Sequence, residues 1–108
     1  MESIDHAGNA RASTITLMEL WEGIHRSSRP DRERPRVEEF LKRINERPVD
    51  REIGLRAGEV SASLISREER VQYTDLLIGV SALVDDVPVV TRNVDDFERI
   101  DGLEIVTY

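Results

Sequence analysis

Between Thr74 and Phe97 the chain reads TDLLIGVSALVDDVPVVTRNVDDF, and no other stretch constrains the fold so tightly. After Asp75, the residues Leu76, Leu77, Ile78, Val80, Ala82, Leu83 and Val84 leave almost no polar face, the pattern of a helix buried on nearly all sides. Asp85-Asp86 interrupts it as a turn. Val87, Val89 and Val90 then read as a strand of a parallel sheet, ending at Thr91. A helix and a strand this apolar belong inside an α/β domain. Asp75 heads the helix and the Asn93/Asp96 pair follows the strand, so both reach one sheet edge, where open α/β sheets bind ligands.

The rest of the chain supports the same class. ASTIT, from Ala12 to Thr16, is a short β-prone run, and Leu17, Leu20, Trp21 and Ile24 follow at helical spacing. RSSRPDRERP, from Arg26 to Pro35, reads as a polar loop, and Val37, Phe40, Leu41 and Ile44 mark a second helix with Pro35 near its first turn. Arg47 to Asp50 suits a brief strand. Asp50 then caps a third helix carried by Ile53, Ala57, Val60 and Leu64, whose small residues Gly54, Gly58, Ser61 and Ala62 suit close packing. After the Thr74–Val84 helix come the strand Pro88–Thr91, a short helix near Asp95 to Ile100, and a closing strand in LEIVTY. Trp21, Phe40 and Phe97, spaced with aliphatic residues, are expected in the core. Alternating strands and helices imply one α/β domain spanning residues 1–108, with a largely parallel sheet and right-handed crossovers. An opening apolar strand is missing. The polar residues Met1 to Arg11 do not supply it.

Composition narrows the chemistry. No cysteine is present, and His6 and His25 stand alone, so any metal site must be built from oxygen. No apolar run spans a membrane and no secretory leader is legible, which places the expected protein in the cytoplasm without a membrane partner. The net charge of −7 argues against a simple phosphate-binding surface, yet all of the excess lies after residue 56. Arginine outnumbers lysine fourteen to one. Arg26, Arg29, Arg32, Arg34 and Arg36 crowd one segment, a candidate contact for phosphate or for a partner.

Three sites are candidates for convergence: Glu19 after the first strand, Asp75, and Asn93 with Asp96. Hard divalent cations take carboxylates of this kind, and without a cation such a cluster raises its own pKa values. Each residue also has a local role on its own. Thr16-Leu17-Met18-Glu19 matches a capping box, Asp75 suits a helix N-terminus, and Asn93 is a natural N-cap.

It is the ordered combination that carries further meaning. TLMEL, then DLLI, then TRNVDDF with a closing GLEIVTY resembles the PIN-domain ribonucleases, most of all the VapC-type toxins of prokaryotic toxin-antitoxin pairs. The resemblance covers Ala12 to Tyr108. It implies a three-layer α/β/α sandwich and cleavage of RNA with Mg²⁺ or Mn²⁺, by a homodimer paired with an antitoxin. Carried over by motif, Glu19, Asp75 and Asp96 are the catalytic acids, and with Asn93 they are the metal ligands. Arg26, Arg29 and Arg92 are the RNA contacts. Asn93 stands where members of the family often carry aspartate. The family's first strand and its aspartate have no counterpart, and Asp5 stands in polar surroundings. A catalytically impaired module that only pairs with an antitoxin or with itself is therefore the alternative.

Overall fold

The computed structural model describes residues 2–4 and 10–108; Asp5 and His6 lie outside them. Strand β1 (Ser3–Ile4) is followed by β2 (Ala10–Ser13), the helices α1 (Thr14–Arg26) and α2 (Pro30–Arg43), and strand β3 (Asn45–Arg47). Helices α3 (Arg51–Ser66) and α4 (Tyr73–Asp85), strand β4 (Val89–Val90), helix α5 (Val94–Glu98) and strand β5 (Ile105–Val106) complete the chain. The class is the expected three-layer α/β/α one, with β2–β3 and β4–β5 both parallel.

The centre of the sheet is not vacant. Residues 2–4 lie between the halves: Ser3 and Ile4 pair antiparallel with Arg11 and Ala10, and the Val90 amide donates to the Glu2 carbonyl. The amino-terminal segment, expected to contribute no strand, thus contributes a two-residue one. Its side chains are mostly polar, so hydropathy alone could not reveal it. Backbone groups left unpaired between two strands are what recruit it.

Helix α4 is the axis of the core. Ile53, Ala57 and Leu64 of α3 pack on it, together with Val87, Val89, Phe97 and Ile100. Gly79 permits the close approach of α5 and its following turn, because a Cβ there would meet Ile100 Cδ1 at 2.6 Å. Gly54 and Gly58, expected at packed positions, face open space instead. The stripe of Ile53, Ala57 and Leu64 carries that interface without them.

Boundaries and burial differ from expectation in several places, beginning with β3, which covers Asn45–Arg47 rather than Arg47 to Asp50. The β-branched run Thr14-Ile15-Thr16 is helical, because Ser13 accepts a hydrogen bond from the Ile15 amide and starts α1 earlier. The arginine-rich segment is helix rather than loop. Pro30 takes the first turn, Asp31 and Glu33 suit the positive end, and Pro35 falls inside α2, where it costs a backbone donor. The α1–α2 hairpin is also less buried than its aromatic residues suggest: α2 packs chiefly on α1, contributes no buried residue, and leaves Phe40 38% exposed. Trp21 is half-buried under the Arg34 guanidinium, 5.3 Å from the ring centroid. Phe97 is in the core as expected.

Candidate active site

The amino end of α4 sets the site. Gln72 precedes the helix without lending its side chain as a cap, and Asp75 lies in the first turn, half-buried. Asp96 is in the first turn of α5, which packs against α4. Asp75's carboxyl is held above its ordinary range, first by burial, then by a hydrogen bond to Asp96 that only a protonated pair makes, and by the charges of Asp96 and Glu19. These three acids therefore share one electrostatic neighbourhood. Arg99 Nη1 lies 3.9 Å from the Oδ1 of Asp96.

The local roles open to these residues are largely unused. With α1 starting at Thr14, no capping box forms over Thr16 and Glu19; Glu19 is exposed in the second turn. Asn93 precedes α5 but its side chain caps nothing, while its amide donates to Thr91 Oγ1 at 3.0 Å. Thr16 Oγ1 donates instead to Glu2 Oε2 at 2.7 Å.

Glu2 is the residue that the sequence did not bring out. Its Oε1 also accepts from the Ser13 amide, and its carboxyl is pushed upward, first by burial, with Glu19's charge adding to the effect against the hydrogen bonds from Thr16 and Ser13. An acid in a polar terminal segment carries no sequence signal. Only its seat between β2 and β4, pointing at the start of α1, brings it to Glu19.

The basic candidates are dispersed. Arg92 follows β4 and stacks on Tyr108, 4.8 Å from the ring centroid. Arg26 ends α1 near Glu22, at 3.9 Å, and Arg29 occupies the N-cap of α2. At about 1.5 Å per residue Arg26 stands roughly 10 Å along α1 from Glu19.

The donor set is all oxygen and self-repelling, which suits a hard divalent cation. Among the described residues, however, no three such side chains are grouped closely enough to form a cage for one ion. That still fits Mg²⁺, which commonly takes one or two carboxylates and keeps several waters.

A mainly parallel α/β fold with an acidic edge at its helix N-termini defines the class. The sequence pattern of the PIN domain matches residues 1–103, so the chain belongs to the PIN domain family. It is 36% identical over 93 residues, 86% of this chain and 70% of the other, to the tRNA(fMet)-specific endonuclease VapC of Salmonella typhimurium. Its fold is similar to the crystal structure of DNA-bound VapBC from Salmonella typhimurium, with a TM-score of 0.85 and 34% identity over 90% of this chain and 74% of that one. VapBC2 from Rickettsia felis, bound to a DNA fragment from its promoter, gives a TM-score of 0.85 and 25% identity over 92% and 74% of the two chains.

Proposed function

We propose that the chain is a metal-dependent endoribonuclease of the VapC toxin type, hydrolysing RNA phosphodiester bonds at the edge where Asp75 pairs with Asp96 and Glu19 lies within the field of both Asp75 and Glu2. The observation that carries this reading is the Asp75–Asp96 carboxyl pair, set at the heads of two packed helices and within the field of Glu19. Asp75 and Asp96 would hold Mg²⁺ or Mn²⁺, with Glu19 and Glu2 deepening the negative potential around it. Bound there, such an ion supplies a more acidic water and offsets charge on the phosphoryl oxygens. Asn93, with its amide side chain uncommitted to capping, can donate to a phosphate oxygen. Arg92, oriented by Tyr108, and at greater distance Arg26 and Arg29, hold flanking phosphates.

The RNA substrate and an antitoxin partner are both supported by the relatives, one named a tRNA endonuclease and two solved as VapBC complexes. A cytoplasmic setting accords with this, and among the described residues no helix is long and apolar enough to cross a membrane. Transfer RNA is the first substrate to test. Purified protein should cut it with Mn²⁺, lose the activity with chelator, and fall at least about 100-fold when Asp75→Asn removes a group acting on the developing charge. Equal cutting by that variant would refute the reading.

The second reading, a PIN-like module that only pairs with an antitoxin or with itself, is favoured by the absence of a three-acid cage among the described residues. It requires that Mn²⁺ leave the melting temperature unchanged.

A further inference from the structure

Beside the acidic edge lies a groove of about 430 Å³, walled by the end of α3, the 67–72 connection and the first turn of α4. Asp96 is one of its lining residues, so groove and acids share a wall. The floor is apolar, with Leu64 and Leu76 both buried. Tyr73 lines it 72% exposed, two residues before Asp75, and leaves an aromatic face open to a planar ligand. Gln72, uncommitted to capping, adds a side-chain amide to the lining, and Arg70 and Glu69 add a cation and an anion.

The groove is also held open in advance. Arg99 Nη1 donates to the Arg70 carbonyl at 2.7 Å, while Arg67 donates to Asp101 at 2.8 Å and to the Arg99 carbonyl at 3.2 Å. The connection that carries Arg70, Gln72 and Tyr73 is thereby tied to the turn after α5. A preformed cleft of this size needs little reorganisation to accept a planar ligand.

We propose that this groove is a nucleobase subsite, in which one unpaired RNA base next to the cleaved phosphate stacks on Tyr73 above Leu64 and Leu76 and is read at its edge by the Gln72 amide. Single-stranded RNA is recognised in this way, by aromatic stacking together with hydrogen bonds to splayed base edges. An amide presents a donor and an acceptor side by side, as a base edge does. The proposal rests on the ribonuclease reading for its choice of ligand. It concerns binding and selection of the base, not the bond-breaking step.

The test is binding of four RNA octamers, each of one base, to the purified chain in Ca²⁺, read by fluorescence anisotropy and by the amide NMR shifts of Tyr73 to Leu76. The expected result is a preference of at least about fivefold for one base, with shifts confined to the groove. Tyr73→Ala weakens that binding about tenfold and erases the preference, the loss of one stacked base, while Tyr73→Phe keeps both. Because Tyr73 is exposed, the melting temperature of each variant should match the parent and exclude misfolding. Tyr73→Ala binding within twofold of the parent with its preference intact overturns the proposal. So does the absence of RNA binding in the parent, or occupation of the groove by an apolar peptide and not by RNA. Cleavage with Mn²⁺ and its loss in Asp75→Asn are read separately: cleavage without groove binding rejects only the subsite, and groove binding without cleavage rejects only the enzyme.

Discussion

At the scale of single residues, burial and hydrogen bonding push carboxylates of this chain in opposite directions. Asp75 and Glu2 are raised because their charged forms lose water and meet other acids. Asp50 is lowered, first by the Ile53 amide it accepts at 3.0 Å and then by Arg47, whose Nη1 is 3.0 Å from its Oδ2. Its folded-state value lies below the unfolded one. Its contribution to stability is therefore present above the ordinary carboxylate range and is lost as pH falls through the lowered value. Asp50→Asn keeps an N-cap but no titrating charge. Parent and variant melting temperatures, compared in scans from about pH 6 to about pH 3, should therefore converge toward the acid end. A constant difference across that range would mean that the Arg47 contact and the ionised cap contribute nothing. The cap itself was legible in the sequence, because a cap needs only its own helix. Glu2 was not, since its role depends on a neighbour fourteen residues away.

Among the elements, those whose pattern is set by their own burial were legible and those set by a neighbour were not. Helix α4 is apolar on nearly every face and lies where its sequence puts it, with Asp75 in the first turn and Asp86 in the left-handed conformation that ends it. Helix α1 starts earlier than its β-branched residues suggest, because the Ser13 cap overrides their local preference for strand. Helix α2 likewise starts within a segment whose arginines and prolines suggest a loop, because Pro30 at a first turn favours a helix. The glycines of α3 and α4 show the same division. Gly79→Ala would force a methyl against Ile100 and Phe97, both buried, and should cost about 1 kcal/mol net, overpacking exceeding the gain in helix propensity. Gly58→Ala meets open space and should stabilise by about 0.5–1 kcal/mol. Urea denaturation of the two variants checks the pair. Equal effects would show that α4 and α5 are not packed this closely.

On the scale of the whole molecule, the central question is what makes two small sheets one body. The radius of gyration is 14.5 Å, somewhat above the roughly 13 Å usual for a chain of this length, in keeping with an α2 that packs chiefly on α1 and buries no residue of its own. The remainder is joined through residues 2–4, which bond β2 on one side and β4 on the other. Three successive amides of the β4 region record that arrangement. Val89 and Thr91 donate across to Glu104 and Val106, whereas Val90 points the other way, to the Glu2 carbonyl. Replacing the buried Ser3 by proline removes its backbone donor and puts a ring in the strand facing Arg11. Hydrogen exchange of Ser3→Pro should then show Val90 exchanging much faster than in the parent, while Val89 and Thr91, bonded to the β5 side, slow or speed only with global stability. Because Glu2 would lose its seat at the same time, its carboxylate should leave the neighbourhood of Glu19 and Thr16, and any affinity for Mn²⁺ should weaken with it. If Val90 stays as protected as before, residues 2–4 do not form the centre of the sheet, and the acidic edge must be assembled from Glu19, Asp75 and Asp96 alone.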